Sequence, residues 1–290
     1  MIKLNSYGKI NLYLDIEGKL SNGYHLIKTV MQSIDLHDEI YLENNNKNEI
    51  IIKCNTPNIP LNEKNTCYKA AALIKEIYHI DDGVIIKIDK TIPSEAGLAG
   101  GSSNSAAVIR GLNALWSLNM SENKMLEIGI KIGADVPFCL TGGTYLAEGI
   151  GEKLTRLNNF VWNNILIVKP KFSMSTAFVY NNLDPDFYNS YKNNDVIYYI
   201  NSNDFNNAAK LTCNTLEKVV ERVHPELNDI KKLMINNGAL TSLMTGSGSA
   251  VFGFFENKKN LDYAYNKIAS KYPQTFKTKT SAVGTLIIIR

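Results

Sequence analysis

Alternating apolar residues near the start of the chain predict a β-strand. Ile10, Leu12, Leu14 and Ile16 are separated by polar or aromatic residues, and a period of two is typical of a strand with one buried face. Lys9 stands at the start of this pattern. Other apolar or β-branched runs predict strands at residues 26–34, 39–42, 49–54, 84–89, 144–147, 165–168, 240–244 and 285–289.

Apolar residues at helical spacing predict helices between these strands. Asn65 is a suitable N-cap for one helix and Ser121 for another. Ser102 or Ser103 is the expected N-cap of the helix over residues 106–116. Two more helices are predicted around residues 227–238 and 261–268.

The 290 residues are enough for one large domain or two ordinary ones. A Gly-rich, charged stretch at residues 148–156 separates two halves that share no internal repeat. We therefore predict an N-terminal domain over residues 1–155 and a C-terminal domain over residues 156–290.

The composition argues against several classes of protein. Hydrophobic residues make up 44% and charged residues 20%, and the net charge of +3 is too small to attract a nucleic acid or a membrane. The four cysteines form no Cys-x-x-Cys pair, which favours buried thiols in a reducing compartment. The N-terminus lacks a signal-peptide core, and no apolar run approaches the ~20 residues of a membrane span. We therefore expect a cytoplasmic protein without a nucleic-acid or membrane partner; the sequence does not give its oligomeric state.

A glycine-rich loop lies between the predicted strand at 84–89 and the helix at 106–116. Because glycine has no Cβ, such a backbone can approach a ligand closely. Unpaired N–H groups at a helix start, together with the helix dipole, favour an anion and above all a phosphate. The loop has neither the lysine of a P-loop nor Gly-x-Gly-x-x-Gly spacing, and a purely structural turn is the alternative. The candidate phosphate-binding residues are Pro93, Ser94, Glu95, Ala96, Gly97, Leu98, Ala99, Gly100, Gly101, Ser102 and Ser103.

This loop resembles the second motif of the GHMP kinase superfamily, Pro-x-x-x-Gly-Leu-x-Gly-Gly-Ser-Ser, whose members include galactokinase and the homoserine, mevalonate and phosphomevalonate kinases. Every fixed position is met between Pro93 and Ser103. The resemblance implies that residues 93–103 bind ATP and that Asn65 and Lys90 contact its nucleoside. Asn65 as a plain helix cap and Lys90 as a surface lysine are equally open alternatives.

The family also implies a fold. It consists of two α+β domains, an N-terminal half that resembles a ribosomal-protein fold and a ferredoxin-like C-terminal half, with the active site in the cleft between them. Residues 245–250 form a second glycine run, which resembles the third family motif and is expected to return toward the first loop. A simple hairpin turn is the alternative reading of that run.

Two short segments resemble a branch of the family whose small-molecule substrate carries a cytidine diphosphate group. The first is Lys9-Ile10-Asn11-Leu12-Tyr13-Leu14, and the second is Gly23-Tyr24-His25. The resemblance implies that Lys9 lies beside the reacting hydroxyl and that Tyr24 and Tyr180 stack on the cytosine, a contact worth ~1–3 kcal/mol per base. Without the motif, Tyr24 and His25 are solvated turn residues and Tyr180 is a core residue of a capped helix. The implied substrate-binding residues are Asn11, Tyr24, His25, Thr176 and Tyr180.

Residues 133–137, Gly-Ala-Asp-Val-Pro, resemble the family segment that carries the catalytic aspartate. Pro137 disfavours the α conformation at Val136, which predicts a short, stiff segment at Asp135. The pattern alone is typical of a capping or turn aspartate. The resemblance implies instead that Asp135 accepts the proton of the substrate hydroxyl, while Lys9 keeps Asp135 ionised and favours the nascent alkoxide.

The implied reaction is the ATP-dependent phosphorylation of the 2-hydroxyl of a methylerythritol that carries cytidine diphosphate, a step of non-mevalonate isoprenoid synthesis. Mg²⁺ is expected with ATP, but the sequence indicates no ligand for it. One alternative is a sister kinase of the mevalonate or homoserine type, against which the Tyr24-His25 pair argues because those substrates carry no base. The other is a non-catalytic nucleotide- or RNA-binding module, which would need a basic face that a net charge of +3 does not favour.

Overall fold

The computed structural model describes residues 1–289 of the chain. Its strands are β1 (Ile2–Lys19), β2 (His25–Asn45), β3 (Ile50–Cys54), β4 (Gly83–Asp89), β5 (Thr144–Glu148), β6 (Lys153–Arg156), β7 (Ile165–Val168), β8 (Cys213–Asn214), β9 (Thr241–Met244), β10 (Val251–Phe254), β11 (Thr275–Thr278) and β12 (Thr285–Ile289). Its helices are α1 (Thr66–Tyr78), α2 (Gly100–Leu115), α3 (Glu122–Ile132), α4 (Val136–Thr141), α5 (Thr176–Asn181), α6 (Val196–Asn201), α7 (Phe205–Lys210), α8 (Glu217–Val223), α9 (Glu226–Asn236) and α10 (Lys258–Ala269), with a 3-10 turn at Pro185–Phe187.

The first strand is longer and more buried than its alternation predicts. Both faces of β1 are buried over residues 6–16, so the prediction of one solvated face was wrong, and Lys9 lies within the strand rather than at its start. Leu4 packs in a core formed by the N-terminal half, whereas Leu14 and Ile16 pack in a core formed largely by the C-terminal half. β1 therefore passes from one core to the other.

The first sheet has the order β12-β1-β2-β4-β3, with β5 and β6 extending from β2 and β8 beside β1. β2 is one continuous strand that joins the predicted strands at 26–34 and 39–42. β3 and β4 are parallel, and α1 forms the crossover that parallel pairing requires. Ile40 of the sheet shares a core with Ile74 of α1 and Ala107 of α2, which fixes the helices on this sheet.

The second sheet has the order β11-β7-β10-β9, and all its neighbouring pairs are antiparallel. α8 and α9 are the last helices of the connection from β7 to β9, which also contains α5, α6, α7 and the short β8, and α10 connects β10 to β11. This β-α-β-β-α-β arrangement is ferredoxin-like, as predicted for the C-terminal half. The chain is thus a two-domain α+β protein.

The end of the chain returns to the first sheet. β12 pairs antiparallel with β1, and the short β8 pairs with β1 in parallel. Strands from residues 156–290 therefore complete a sheet of residues 1–155, and the boundary at 155/156 stays a prediction.

The starts of four helices, α1 to α4, differ in how well the sequence predicted them. Asn65 and Ser121 cap α1 and α3 with their side chains, as predicted. The N-cap of α2 was predicted wrongly: the helix begins at Gly100 after Ala99, and no side chain caps it. The non-helical segment at Val136 was also wrong, because Val136 starts α4. Pro137 is tolerated there since the first turn of a helix needs no N–H donor at that position.

Several elements had no counterpart among the predictions, namely β6, β8, β10, β11, α4, α6, α7 and α8. Cys67, Cys139 and Cys213 are buried free thiols, as expected, and Cys54 is half-buried. Among the helices within residues 1–289, none combines the length and apolar character that crossing a bilayer requires.

Gly284, at the entrance to β12, generates a prediction about stability. A Cβ at this position would lie 2.0 Å from the carbonyl oxygen of Cys139 and 3.0 Å from the amide nitrogen of Gly142, which are backbone atoms that cannot move aside. We expect Gly284→Ala to lower the free energy of unfolding by about 1–3 kcal/mol, measured by urea denaturation. Gly18→Ala is the control, since nothing lies within 4 Å of its Cβ, and it should change that energy by less than about 1 kcal/mol. Equal effects of the two substitutions would contradict the packing argument.

Candidate active site

One large cavity lies between the two halves. Its volume is about 1140 Å³, and its walls come from β1, the glycine loop (residues 93–103), the start of α4, α5 and the β9–β10 turn. The candidate residues that line it are Lys9, Asn11, Tyr24, His25, Asn65, Lys90, Asp135, Thr176, Tyr180 and residues 93–102 of the loop. The structure thus brings together every predicted site residue except Ser103.

The glycine loop leads directly into α2, whose first residues are Gly100, Gly101 and Ser102. Amide groups in the first turn of a helix have no partner within the helix, and these three residues line the cavity. Two loop residues with side chains, Glu95 and Ala99, have left-handed backbone angles, with φ of 50° and 55°. The helix start therefore offers free N–H groups to an anion, on a backbone held in an uncommon conformation.

The β9–β10 turn closes tightly on the glycine loop. A Cβ on Gly97, whose φ is +73°, would lie 2.1 Å from the carbonyl oxygen of Thr245. The amide of Ala250 also donates to the carbonyl of Ala96 at 3.1 Å. Residues 245–250 thus form a hairpin turn, and this turn also returns to the first glycine loop. The two interpretations offered by the sequence are therefore compatible.

Ser103 lies behind the loop rather than in the cavity. Its side chain is fully buried, and its hydroxyl donates to the carbonyl of Tyr7 at 2.6 Å and accepts from the hydroxyl of Ser6 at 2.7 Å. Ser102, by contrast, lines the cavity. Of the two serines, only Ser102 is placed to meet a ligand.

Lys9 and Asn11 project from β1 into the cavity at its buried end. The Lys9 ammonium, 5% exposed, donates to Oδ1 of Asn11 at 2.6 Å. Nδ2 of Asn11 donates to the hydroxyl of Thr29 at 2.8 Å, and its backbone amide donates to the hydroxyl of Thr245 at 3.1 Å. This network fixes the position of a buried cation that has two further N–H donors to offer.

Asp135 precedes the first residue of α4, and its side chain caps no amide. No ion pair between Asp135 and Lys9 is found within residues 1–289, where the hydrogen-bond partner of the Lys9 ammonium is Asn11. Both charges act on Cys139: burial raises the pKa of this thiol, Asp135 raises it further and Lys9 lowers it. A carboxylate and an ammonium therefore face one cavity without neutralising each other directly.

His25 and Tyr180, which line the cavity, form an aromatic group with Tyr188. The His25 ring lies 5.3 Å from the Tyr180 ring and 5.9 Å from the Tyr188 ring, and its Nε2 is 3.1 Å from the Tyr188 hydroxyl. Burial, and to a smaller extent the charge of Lys19, lowers the pKa of His25. Tyr24, which precedes His25 in the sequence, is 61% exposed.

Tyr180 packs against His25, and its phenol is strongly desolvated, which raises its pKa. It nevertheless lines the cavity, as does Tyr24, so both rings remain available to a ligand. The hydroxyl of Thr176 is 2.9 Å from that of Ser247 in the β9–β10 turn. This contact joins α5 to the β9–β10 turn.

Asn65 and Lys90 lie near the first turn of α2, and both side chains already form hydrogen bonds with other protein groups. Oδ1 of Asn65 accepts from the amide of Cys67 at 2.8 Å, and its Nδ2 donates to the carbonyl of Pro60 at 2.7 Å. The Lys90 ammonium forms an ion pair with Asp38, and its side chain is only 6% exposed. The alternative of a surface lysine was therefore wrong.

Sequence reasoning did not single out Asp38, Lys64, Tyr188 or Thr245. Lys64 lines the cavity beside Asn65. Thr245 opens the third motif and could have been found from it, whereas Asp38 and Tyr188 stand in polar stretches that carry no comparable signal.

Within residues 1–289, no group of three or more His, Cys, Asp or Glu side chains could hold a metal ion by itself. The cavity does contain two carboxylates, Glu95 and Asp135. That set suits Mg²⁺ bound chiefly by phosphate oxygens and water.

Two family models match the chain. Residues 65–143 match the GHMP kinases N terminal domain, and residues 196–274 match the GHMP kinases C terminal domain. The first match contains α1, the glycine loop and Asp135.

Curated relatives cover almost the whole chain. A 4-diphosphocytidyl-2-C-methyl-D-erythritol kinase of Caldicellulosiruptor saccharolyticus is 49% identical over 256 residues, 88% of each chain. The kinase of the same name from Clostridioides difficile is 44% identical over 288 residues, 99% of this chain and 97% of that one.

Solved structures give the same fold. A crystal structure of 4-(cytidine 5'-diphospho)-2C-methyl-D-erythritol kinase superposes with a TM-score of 0.82 at 28% identity, covering 96% of this chain and 99% of that one. Homoserine kinase from Cytophaga hutchinsonii superposes with a TM-score of 0.81 at 18% identity, covering 99% and 97%. The second likeness concerns the fold alone.

The lowered pKa of His25 generates a prediction about pH. Its folded pKa lies below the ordinary value of 6.5, so the unfolded chain binds more protons at this position than the folded chain. The His25 contribution to the free energy of unfolding should therefore rise with pH between the folded pKa and 6.5 and then stay level. We expect the difference in that energy between the wild type and His25→Gln to grow in this direction when urea denaturation is repeated from about pH 5 to about pH 7.5. A difference that is flat or falls with pH would contradict this environment for His25.

Proposed function

The chain belongs to the GHMP kinases, and we propose that it transfers the γ-phosphoryl group of ATP to the 2-hydroxyl of 4-diphosphocytidyl-2-C-methyl-D-erythritol. The products are the 2-phosphate and ADP, and the reaction is a step of non-mevalonate isoprenoid synthesis. The observation that carries this proposal is the arrangement of one cavity, in which a glycine loop at a helix start, a buried ammonium and a carboxylate lie together with a histidine-tyrosine group.

ATP fits the side of the cavity formed by the glycine loop. The amides at Gly100, Gly101 and Ser102 suit phosphate oxygens, and a side chain at Gly97 would collide with Thr245, so a loop this compact requires glycine there. We assign phosphate binding to residues 93–102, and to Ser103 an indirect part behind them. Asn65 and Lys90 border the expected nucleoside, but their existing bonds leave them fewer free groups for it.

Mg²⁺ is expected to accompany ATP, since phosphate oxygens and water are its preferred ligands. Glu95 is the carboxylate nearest in sequence to the phosphate-binding amides, and the hydroxyl of Ser102 shares that wall of the cavity. When bound, the ion would offset charge on the phosphates.

Phosphoryl transfer depends mainly on placing the reacting groups in line and on compensating charge. We assign Asp135 as the base that accepts the hydroxyl proton. The Lys9 ammonium, oriented by Asn11, donates to the substrate oxygen and stabilises the charge that develops there. We assign to Lys9 a direct action on the substrate oxygen, a choice that its bond to Asn11 supports.

The aromatic side chains that line the cavity suit the cytosine. Tyr24 and Tyr180 offer stacking faces, and His25 offers a polar ring edge whose position the Tyr188 hydroxyl fixes. Thr176 and Asn11 complete the polar contacts. A cytidine diphosphate group thus has a binding surface that mevalonate and homoserine would leave unused.

A cavity of about 1140 Å³ slightly exceeds the ~300–1,000 Å³ typical of a site for one small molecule, in keeping with two bound substrates.

We retain the sequence-based expectations of a cytoplasmic location and of no nucleic-acid or membrane partner.

The direct test measures ADP release from purified protein, ATP and Mg²⁺ with each of three alcohols. We expect kcat/KM for 4-diphosphocytidyl-2-C-methyl-D-erythritol to exceed that for mevalonate or homoserine by at least about 100-fold, because buried polar groups left unpaired penalise the smaller substrates. ADP release at background level with all three would refute a kinase of this type. Faster turnover of mevalonate or homoserine would move the assignment to a sister kinase.

The role of Asp135 is tested by Asp135→Asn, which keeps the shape of the side chain and removes the base. We expect kcat to fall by about 100- to 10,000-fold, with little change in the KM values or in thermal stability. Asp204→Asn is a matched control, because Asp204 caps α7 outside the cavity and asparagine caps equally well. A kcat for Asp135→Asn as high as that of the control would remove Asp135 from the mechanism.

A further inference from the structure

The carboxylate of Asp38 lies fully buried behind the glycine loop and accepts four hydrogen bonds. Its Oδ1 accepts from the backbone amides of Thr91 and Ile92 at 2.7 and 2.8 Å. Its Oδ2 accepts from the Lys90 ammonium and, at 2.8 Å, from Nδ2 of Asn104. Every donor in such a low-dielectric network has its position fixed, since leaving any of them unpaired is costly.

These donors stand at the two ends of the glycine loop. Residues 90–92 lead from β4 into Pro93, whereas Asn104 lies just after Ser103 within α2. One carboxylate on β2 therefore ties together the chain that enters the loop and the helix that leaves it. Asn104 also donates to the hydroxyl of Ser6 on β1 at 3.0 Å. Two strands of the first sheet, β1 and β2, therefore bond to the start of α2.

The loop depends on such an external restraint. Glu95 and Ala99 hold φ angles of 50° and 55°, which residues with a Cβ seldom adopt, and such conformations persist only where the surroundings impose them. Asp38 provides this restraint from outside the cavity, whose walls do not include it.

The Asp38–Lys90 ion pair also sets the charge beneath the helix start. A Cβ on Gly100 would lie only 3.0 Å from the Lys90 nitrogen, so the ammonium sits directly under the first turn of α2. Paired with Asp38, it adds no net charge there.

We propose that Asp38 is a positioning residue for the nucleotide. It holds both ends of the glycine loop in the conformation seen here, which we call closed, and so sets the affinity for ATP without touching ATP. The proposal rests on the assignment of the loop to ATP in the proposed function. Its physical content is a population effect, because a loop that is closed only part of the time binds with an affinity reduced by that fraction.

The test is Asp38→Asn, which keeps the acceptor for Thr91 and Ile92 but turns an N–H₂ group toward Lys90 and Asn104. We expect the KM for ATP, and the dissociation constant of a non-hydrolysable ATP analogue measured by calorimetry, to rise about 10- to 100-fold. The KM for the alcohol substrate should change by less than about threefold, since its contacts lie elsewhere.

Asp15→Asn is the matched control. Asp15 is a buried carboxylate on β1 that accepts from two backbone amides, those of Ile16 and Tyr191, and from the hydroxyl of Thr215. It should lower the thermal stability as Asp38→Asn does, yet leave the affinity for the ATP analogue unchanged. The double variant Asp38→Asn with Asn104→Asp returns the negative charge to the same network, and we expect it to recover most of the lost affinity.

Four results would overturn the proposal: an unchanged ATP affinity in folded Asp38→Asn, a tighter one, an equal loss in Asp15→Asn, or a variant without cooperative unfolding, which would assign Asp38 to folding as a whole. A wild-type protein that fails to bind the ATP analogue would instead refute the proposed function.

Discussion

The site depends on one strand, β1, being buried on both faces. The polar side chains of such a strand need hydrogen-bond partners within the protein wherever water does not reach them. Lys9 and Asn11 meet this requirement by bonding to each other and, through Asn11, to Thr29 and Thr245. The same bonds hold the ammonium where the two halves meet. Burial of β1 is thus what makes the cation rigid, and rigidity is what a site for phosphoryl transfer needs.

The two glycine loops form the second constraint. Gly97 and the carbonyl of Thr245 approach so closely that no Cβ fits between them, and the amide of Ala250 bonds to Ala96. The phosphate side of the cavity is therefore made jointly by residues about 150 positions apart in sequence. This arrangement explains why the ferredoxin-like half belongs to the site although the phosphate-binding amides lie in the other half.

Sequence reasoning found the parts of this protein that have local causes. Asn65 and Ser121 were identified as caps because a side-chain oxygen next to an apolar helix has one obvious use, and the glycine loop was found because few other functions need so many small residues. It failed where long-range packing decides the outcome. The full burial of β1, the ion pair that removes Lys90 from the surface and the withdrawal of Ser103 from the cavity all depend on partners distant in sequence. The pairing of Tyr188 with His25 spans 163 positions and has no local signature.

β12 completes the first sheet although it is distant from β1 in the sequence. During synthesis the N-terminal half emerges first and domains tend to fold as they appear, but residues Lys3–Ser6 of β1 have no neighbour on that side until β12, which follows every other strand of this sheet in the sequence, has emerged. That edge, with its open backbone N–H and C=O groups, is a surface to which other strands can add. The nascent N-terminal half therefore keeps an unpaired strand edge, open to non-native pairing, until β12 has been synthesised.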